Sequence, residues 1–133
     1  MAGMREAERR EVAALATQIA RAKTSPFPDP GTADFTEVDD KPGVYLIRTS
    51  RGLVCHAGRT LRQRSLRKRL RDHIYGKSSF VSEYLDGDGS RLRVGYRFAT
   101  LAIKNERTRT LVEHLLVGQL CPEHVGTHAN TGE

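Results

Sequence analysis

Apolar residues recur along the chain with two different periods, and the changes between them predict the order of helices and strands. Residues 4–23 carry a sparse stripe of Val12, Leu15 and Ile19 among alanines and charged residues, which predicts a first helix. One narrow stripe cannot stabilise an isolated helix, so this helix is expected to dock or to fray. Residues 25–31 hold three prolines and a glycine, a composition typical of a linker or an extended arm.

Two short runs of strand-forming residues, 44–49 and 53–57, predict a β-hairpin around a Ser-Arg-Gly turn. Two registers fit this turn. A loop made of Ser-Arg places Tyr45 opposite His56, whereas a loop made of Arg-Gly places Tyr45 opposite Gly58. In either register Tyr45 lies near His56.

A second helical stripe of Leu66, Leu70 and Ile74 follows the hairpin, with Ser65 in position to cap the helix. Weaker signals predict three further elements, which are a helical piece at 80–85, a strand at 92–101 and a helix at 105–120. This order predicts an α+β fold with a small, three-stranded, mainly antiparallel sheet flanked by helices.

The length of 133 residues suits one compact domain. We therefore predict a helical arm at 1–24 as an accessory element, a proline-rich linker at 25–39 and the main domain at 40–133. The two cysteines lack CxxC spacing and the N-terminal region has no long apolar run. Both features favour a reduced, cytoplasmic setting and no association with a membrane.

The charge balance changes the functional picture. Lys and Arg total 22 against 16 for Asp and Glu, which gives a net charge of +6. Such a balance favours a polyanionic partner, although many proteins without one are equally basic. The cations are concentrated in residues 59–71, which hold six arginines and a lysine.

Candidate chemistry lies on the predicted hairpin and the two later helices. Gly43-Val44-Tyr45 is followed, ten residues on, by His56-Ala57-Gly58; then come Arg69 in the basic helix and Glu113 in the last helix. These motifs, in this order over residues 40–130, resemble the GIY-YIG nuclease superfamily. The chain departs from that family at His56, where the family usually has tyrosine. An ordinary imidazole there predicts a cleavage rate that rises through a pKa of about 6 to 7.

The resemblance implies a GIY-YIG-like fold and hydrolysis of a DNA phosphodiester with Mg²⁺ or Mn²⁺ bound by Glu113. Such a reaction needs a base, positive charge on the phosphate and help for the leaving oxygen. We predict Tyr45 or His56 as the base, Arg69 as the phosphate clamp and His73 as its support. The predicted substrate-binding residues are Gly58, Arg59, Arg62, Arg67, Lys68 and Asn130. Concerted cutting of both strands would need a homodimer on DNA.

Each candidate residue also has an ordinary structural interpretation. Tyr45 and His56 can be core residues, the arginine run can be a solvated face, and Glu113 can be a surface carboxylate. Two other functions therefore remain open. One is a catalytically degenerate DNA-binding module of the same fold, and the other is a basic RNA-binding protein.

Overall fold

The structure of the protein is a computed structural model in which residues 2–29, 35 and 37–125 are described. The elements in chain order are α1 (Ala2–Ala20), β1 (Ser25–Pro26), β2 (Gly43–Thr49), β3 (Val54–Arg59), α2 (Leu66–Ile74), α3 (Ser79–Tyr84), a 3₁₀ helix (Gly89–Arg93), β4 (Tyr96–Ala102) and α4 (Glu106–Leu120). The strands pair antiparallel throughout, in the order β1-β4-β2-β3. The predicted α+β class is confirmed.

The sheet has one strand more than we predicted. Ser25 and Pro26 pair with Phe98 and Arg97, so the proline-rich segment contributes the short edge strand β1. Proline lacks an N–H and is restricted to the edges of sheets, which is the position that Pro26 occupies. The segment continues into the core through Phe27, which is buried. The predicted linker is therefore partly a packed edge.

The hairpin adopts the register that places Tyr45 opposite Gly58. Ile47 faces His56, but the next residue, Arg48, faces Val54. Cys55 therefore has no partner on β2 and forms a β-bulge. His56 therefore shares the register of the residue pairs at the base of the hairpin, and the shift affects only the tip.

Alternate residues of the central strand β2 enter two separate cores, one on each face of the sheet. Tyr45 and Ile47 pack with residues of α2, α3 and the 3₁₀ helix. Val44 and Leu46 pack with residues of α1 and α4. Because β2 is covered on both faces, a polar group attached to it is held in a fixed position.

The N-terminal helix is part of the second core. Val12, Ala16 and Ile19 recur at helical spacing and are buried in one cluster with Val112 and Leu116 of α4. The accessory arm that we predicted for this helix is therefore a packed layer. The sparse stripe is sufficient because α4 offers a complementary apolar face.

Candidate active site

The hydroxyl group of Tyr45 is the centre of a buried polar network. It lies 2.8 Å from Nε2 of His73 and accepts a hydrogen bond of 3.3 Å from Nε of Arg69. Arg69 and His73 are four residues apart on α2 and therefore project from the same face of the helix. Ser65 fixes the start of α2 by accepting a hydrogen bond from the backbone N–H of Lys68. The structure thus brings Tyr45, Arg69 and His73 together.

Gly58 makes room for the Tyr45 ring. A Cβ atom at position 58 would overlap the hydroxyl group and Cζ of Tyr45, because the ring lies directly over the Gly58 backbone on the neighbouring strand. We predicted that Gly58 binds substrate. Its position gives it a structural reason to be glycine.

The second ring nitrogen of His73 contacts a residue that the sequence analysis missed. Nδ1 lies 2.7 Å from Oγ of Ser78, which also accepts a hydrogen bond from the backbone N–H of Val81. Ser78 is the N-cap of α3. A serine before the predicted helical piece at 80–85 was the available sequence signal for a cap.

Asp72 positions Arg69 from the outer side of α2. Its Oδ2 accepts a hydrogen bond of 2.7 Å from Arg64 and lies 3.9 Å from Nη1 of Arg69. Asp72 was not among the predicted residues. The i, i+3 spacing from Arg69 on a helix was the signal that could have found it.

His56 lies beside this network and is only partly buried. Its ring stacks on Phe80 at a centroid distance of 4.7 Å and lies 5.8 Å from the ring of Tyr45 and 5.7 Å from that of His73. The hydrogen-bond geometry favours His73 as the recipient of the Tyr45 proton, since its Nε2 is 2.8 Å from the hydroxyl oxygen.

Both histidines are neutral at pH 7. Burial, followed by the charge of Arg69, holds the pKa of His73 well below its ordinary value. Burial, followed by the nearby His124 ring and the charge of Arg69, lowers the pKa of His56 to about 3. The rise in rate expected from an ordinary imidazole at His56 should accordingly move to lower pH.

His124 and Glu83 extend the cluster from the side of His56. His124 is 8% exposed; its Nδ1 is 3.3 Å from Nδ1 of His56, and its Nε2 is 2.7 Å from Oε1 of Glu83. Neither residue was predicted. No local signal connects them, because His124 is 68 residues from His56 and 41 from Glu83.

Glu113 reaches the hairpin from α4. Its Oε1 accepts a hydrogen bond of 2.7 Å from Arg59, and both side chains are largely covered, at 15% and 13% exposure. Arg59 lies opposite Val44 of β2, so this ion pair is on the α4 face of the sheet, opposite to the face that carries Tyr45. We predicted that Arg59 contacts substrate; in the structure it pairs with the predicted metal ligand.

Glu113 is the predicted ligand for a metal ion. Within residues 2–29, 35 and 37–125, no group of three or more His, Cys, Asp or Glu side chains is arranged to hold one. Mg²⁺, however, keeps most of its water and can be bound through one or two carboxylates together with substrate phosphate. Glu113 fits that limited role.

The predicted substrate-binding cations divide into two groups. Arg62 and Lys68 are exposed. Arg67 instead donates to the backbone carbonyls of Phe35 and Val38, and so holds the segment before β2 against α2. Asn130 lies outside the described residues.

Comparison of the chain with models of known protein families, with curated proteins and with solved structures finds no match. In the part of the chain that the structure describes, no helix has the length and apolar character needed to cross a membrane.

Proposed function

We propose that the protein hydrolyses phosphodiester bonds in DNA. The observation that carries the proposal is the contact of Arg69 and His73 with the same tyrosine hydroxyl. A permanently charged guanidinium suits a phosphate, and a tyrosine bonded to a neutral imidazole suits proton transfer. Together, Tyr45, Arg69 and His73 offer a base, a proton acceptor behind it and positive charge for the phosphate.

Tyr45 acts as the base with the help of His73. As the attacking water gives a proton to the Tyr45 oxygen, the hydroxyl proton of Tyr45 passes to Nε2 of His73. The water oxygen forms the new bond to phosphorus and the bond from phosphorus to the leaving oxygen breaks; that oxygen takes a proton from solvent. Arg69 stabilises the negative charge that develops on the phosphate.

Substrate binding assists this proton transfer. The charge of Arg69 contributes to the low pKa of His73 in the free protein. A phosphodiester anion bound at Arg69 offsets that charge and therefore raises the pKa of His73 in the complex. The imidazole becomes a better proton acceptor when the substrate is in place.

Glu113 would hold the Mg²⁺ or Mn²⁺ ion. Bound there, the ion would supply positive charge that stabilises the phosphate oxygens during cleavage. Arg59, which pairs with Glu113, would keep the carboxylate directed towards the end of β3.

The DNA backbone would lie on the cations of the loop before α2 and of its exposed face. Arg62, Arg64, Lys68 and Arg71 are all exposed there. Contacts of this kind provide affinity that does not depend on base sequence.

The test is cleavage of supercoiled plasmid in the presence of Mg²⁺ or Mn²⁺. We expect nicking that EDTA and Glu113→Gln abolish. Arg69→Lys should lower the rate by about 10²-fold or more, because the ammonium group of lysine cannot make the two parallel hydrogen bonds of a guanidinium group. Arg71→Lys, an exposed change on the same helix, is the matched control and should retain the rate. Wild-type activity in EDTA, or in Arg69→Lys, would contradict the proposal.

A second candidate is a DNA-binding module that does not cleave. It is favoured by the complete burial of Tyr45 and His73 and by the ion pair that engages Glu113. This function predicts salt-dependent binding of plasmid with no nicking in either metal, and equal binding by the wild type and Glu113→Gln.

A further inference from the structure

The segment after α4 docks on the free edge of β3. The strand order leaves β3 at one side of the sheet. The backbone N–H groups of Glu123 and His124 donate to the carbonyls of Val54 and Cys55, at 3.1 and 2.9 Å. These carbonyls belong to the bulge, so the irregularity in β3 is what anchors the segment. His124 is consequently held next to His56 by its own backbone.

Three parts of the chain meet at His124. Glu83 comes from α3, His56 from β3, and His124 from the docked segment. The ring of His124 also packs 5.5 Å from that of Phe80, on which His56 stacks. The side chains therefore form one ordered chain from Glu83 through His124 to His56.

The hydrogen-bond partners determine which nitrogens carry protons. An ionised carboxylate only accepts hydrogen bonds, so Nε2 of His124 must be the protonated nitrogen facing Glu83. With a single ring proton, held at Nε2 by Glu83, His124 presents a lone pair at Nδ1. Two facing Nδ1 atoms share a hydrogen bond only if one of them is protonated, so that proton belongs to His56. The remaining nitrogen of neutral His56, Nε2, is left as an acceptor.

We propose that Glu83 and His124 are positioning residues that hold His56 in the tautomer protonated at Nδ1 and leave its Nε2 free to accept a hydrogen bond. On the proposed nuclease function, on which this use depends, Nε2 accepts a hydrogen bond from the attacking water while Tyr45 takes the other proton. A histidine thereby stands where the family that the sequence resembles usually has tyrosine.

The test is the tautomeric state of His56, measured by long-range ¹H–¹⁵N NMR at pH 7 on protein with ¹⁵N-labelled histidine. We expect His56 protonated at Nδ1 only and His124 at Nε2 only. In His124→Phe and in Glu83→Ala the His56 signal should move towards the form protonated at Nε2. His124→Asn, whose side-chain oxygen can replace the Nδ1 acceptor, should restore the wild-type pattern.

Two features keep this test independent of cleavage and of folding. Glu83 has 46% of its side chain exposed, so Glu83→Ala should fold even if His124→Phe does not. Glu123→Gln is the matched control, because that neighbouring carboxylate pairs with Tyr84 and its loss should leave His56 unchanged. Where the protein cleaves DNA, Glu83→Ala should lower kcat by about 10-fold, the lower end of the usual effect of a supporting partner.

Wild-type His56 protonated at Nε2, or a pattern unchanged in Glu83→Ala, would overturn the inference. The predicted pattern in a protein that does not cut DNA would instead confirm the positioning and refute the nuclease function.

Discussion

Gly58 has no side chain, and this absence leaves space for the ring of Tyr45. The Tyr45 ring is enclosed between β3 and α2, so it cannot move aside without displacing His73 or Arg69. A substitution here should therefore affect the fold and the hydroxyl network together.

We expect Gly58→Ala to lower the free energy of unfolding by about 1 to 3 kcal/mol, the usual cost of overpacking a core. Urea denaturation measures it. Gly118→Ala is the matched control, since a Cβ atom there meets nothing within 4 Å in α4. That change should stabilise the protein by about 0.5 to 1 kcal/mol. Equal stability of both variants would show that Tyr45 can relocate.

Two neutral histidines make stability depend on pH. The pKa of His56 is about 3 in the folded protein and near 6.5 when unfolded, so the unfolded chain binds more protons between these values. Stability is complete above about 6.5 and is lost as pH falls towards 3, by up to about 1.4 kcal/mol per pH unit for each such group. His73 contributes in the same direction.

Urea denaturation at pH 7 and pH 5 checks this dependence. The wild type should lose stability between the two conditions, and His56→Gln should lose less. Gln18→Ala, at an exposed position without a titratable group, is the control and should behave like the wild type. A wild-type stability that rises on acidification would contradict the assignment of neutral buried imidazoles.

At the scale of the elements, α1 completes the core on the α4 face of the sheet. Ile19→Ala should lower the free energy of unfolding by about 2 to 5 kcal/mol, because it removes a buried aliphatic group from a packed cluster. Gln18→Ala, one position away on the exposed side, should change it by less than about 0.5 kcal/mol. An accessory arm would predict similar small effects for both, and thermal or urea denaturation separates the alternatives.

The hairpin shows what a sequence pattern can and cannot specify at this scale. Strand-forming residues and a turn identified both strands, but two registers remained open for Tyr45. The bulge at Cys55 was not predictable, because the hydrogen-bond partners of its carbonyls, the backbone N–H groups of Glu123 and His124, are distant in sequence. The edge strand at Ser25–Pro26 was not predicted, because prolines in a sequence usually indicate a loop.

For the whole molecule, the part of the site that was predicted differs from the rest in how far apart its residues lie in the sequence. Tyr45, Arg69 and His73 were predictable because short-range spacing puts two of them on one helical face and the third on an adjacent strand. The Glu83–His124 pair joins two distant segments, and only tertiary packing brings them together. The first three residues leave a motif in the sequence, whereas Glu83 and His124 leave none.

On the proposed nuclease function, the small size of the protein limits how it can cut a duplex. One set of reacting groups attacks one strand at a time, so concerted cutting of a duplex needs a second copy. We expect open-circular plasmid to appear before linear plasmid at low protein concentration, and linearisation to increase more steeply with concentration. Sedimentation of the protein on a short duplex tests the second copy. Concerted linearisation by a protein that stays monomeric on DNA would contradict this expectation.

The bulge at Cys55 also makes the hairpin tip a natural site for engineering. It separates the pairing at the tip from the pairing at the base, where Tyr45 faces Gly58. Gly52 and Leu53 at the tip are exposed, and Gly52 has a positive φ of 97°, so an insertion should leave that glycine in place and follow it. We expect a peptide tag or a fluorescent label inserted there to leave the tyrosine network intact, because the network lies at the other end of the hairpin.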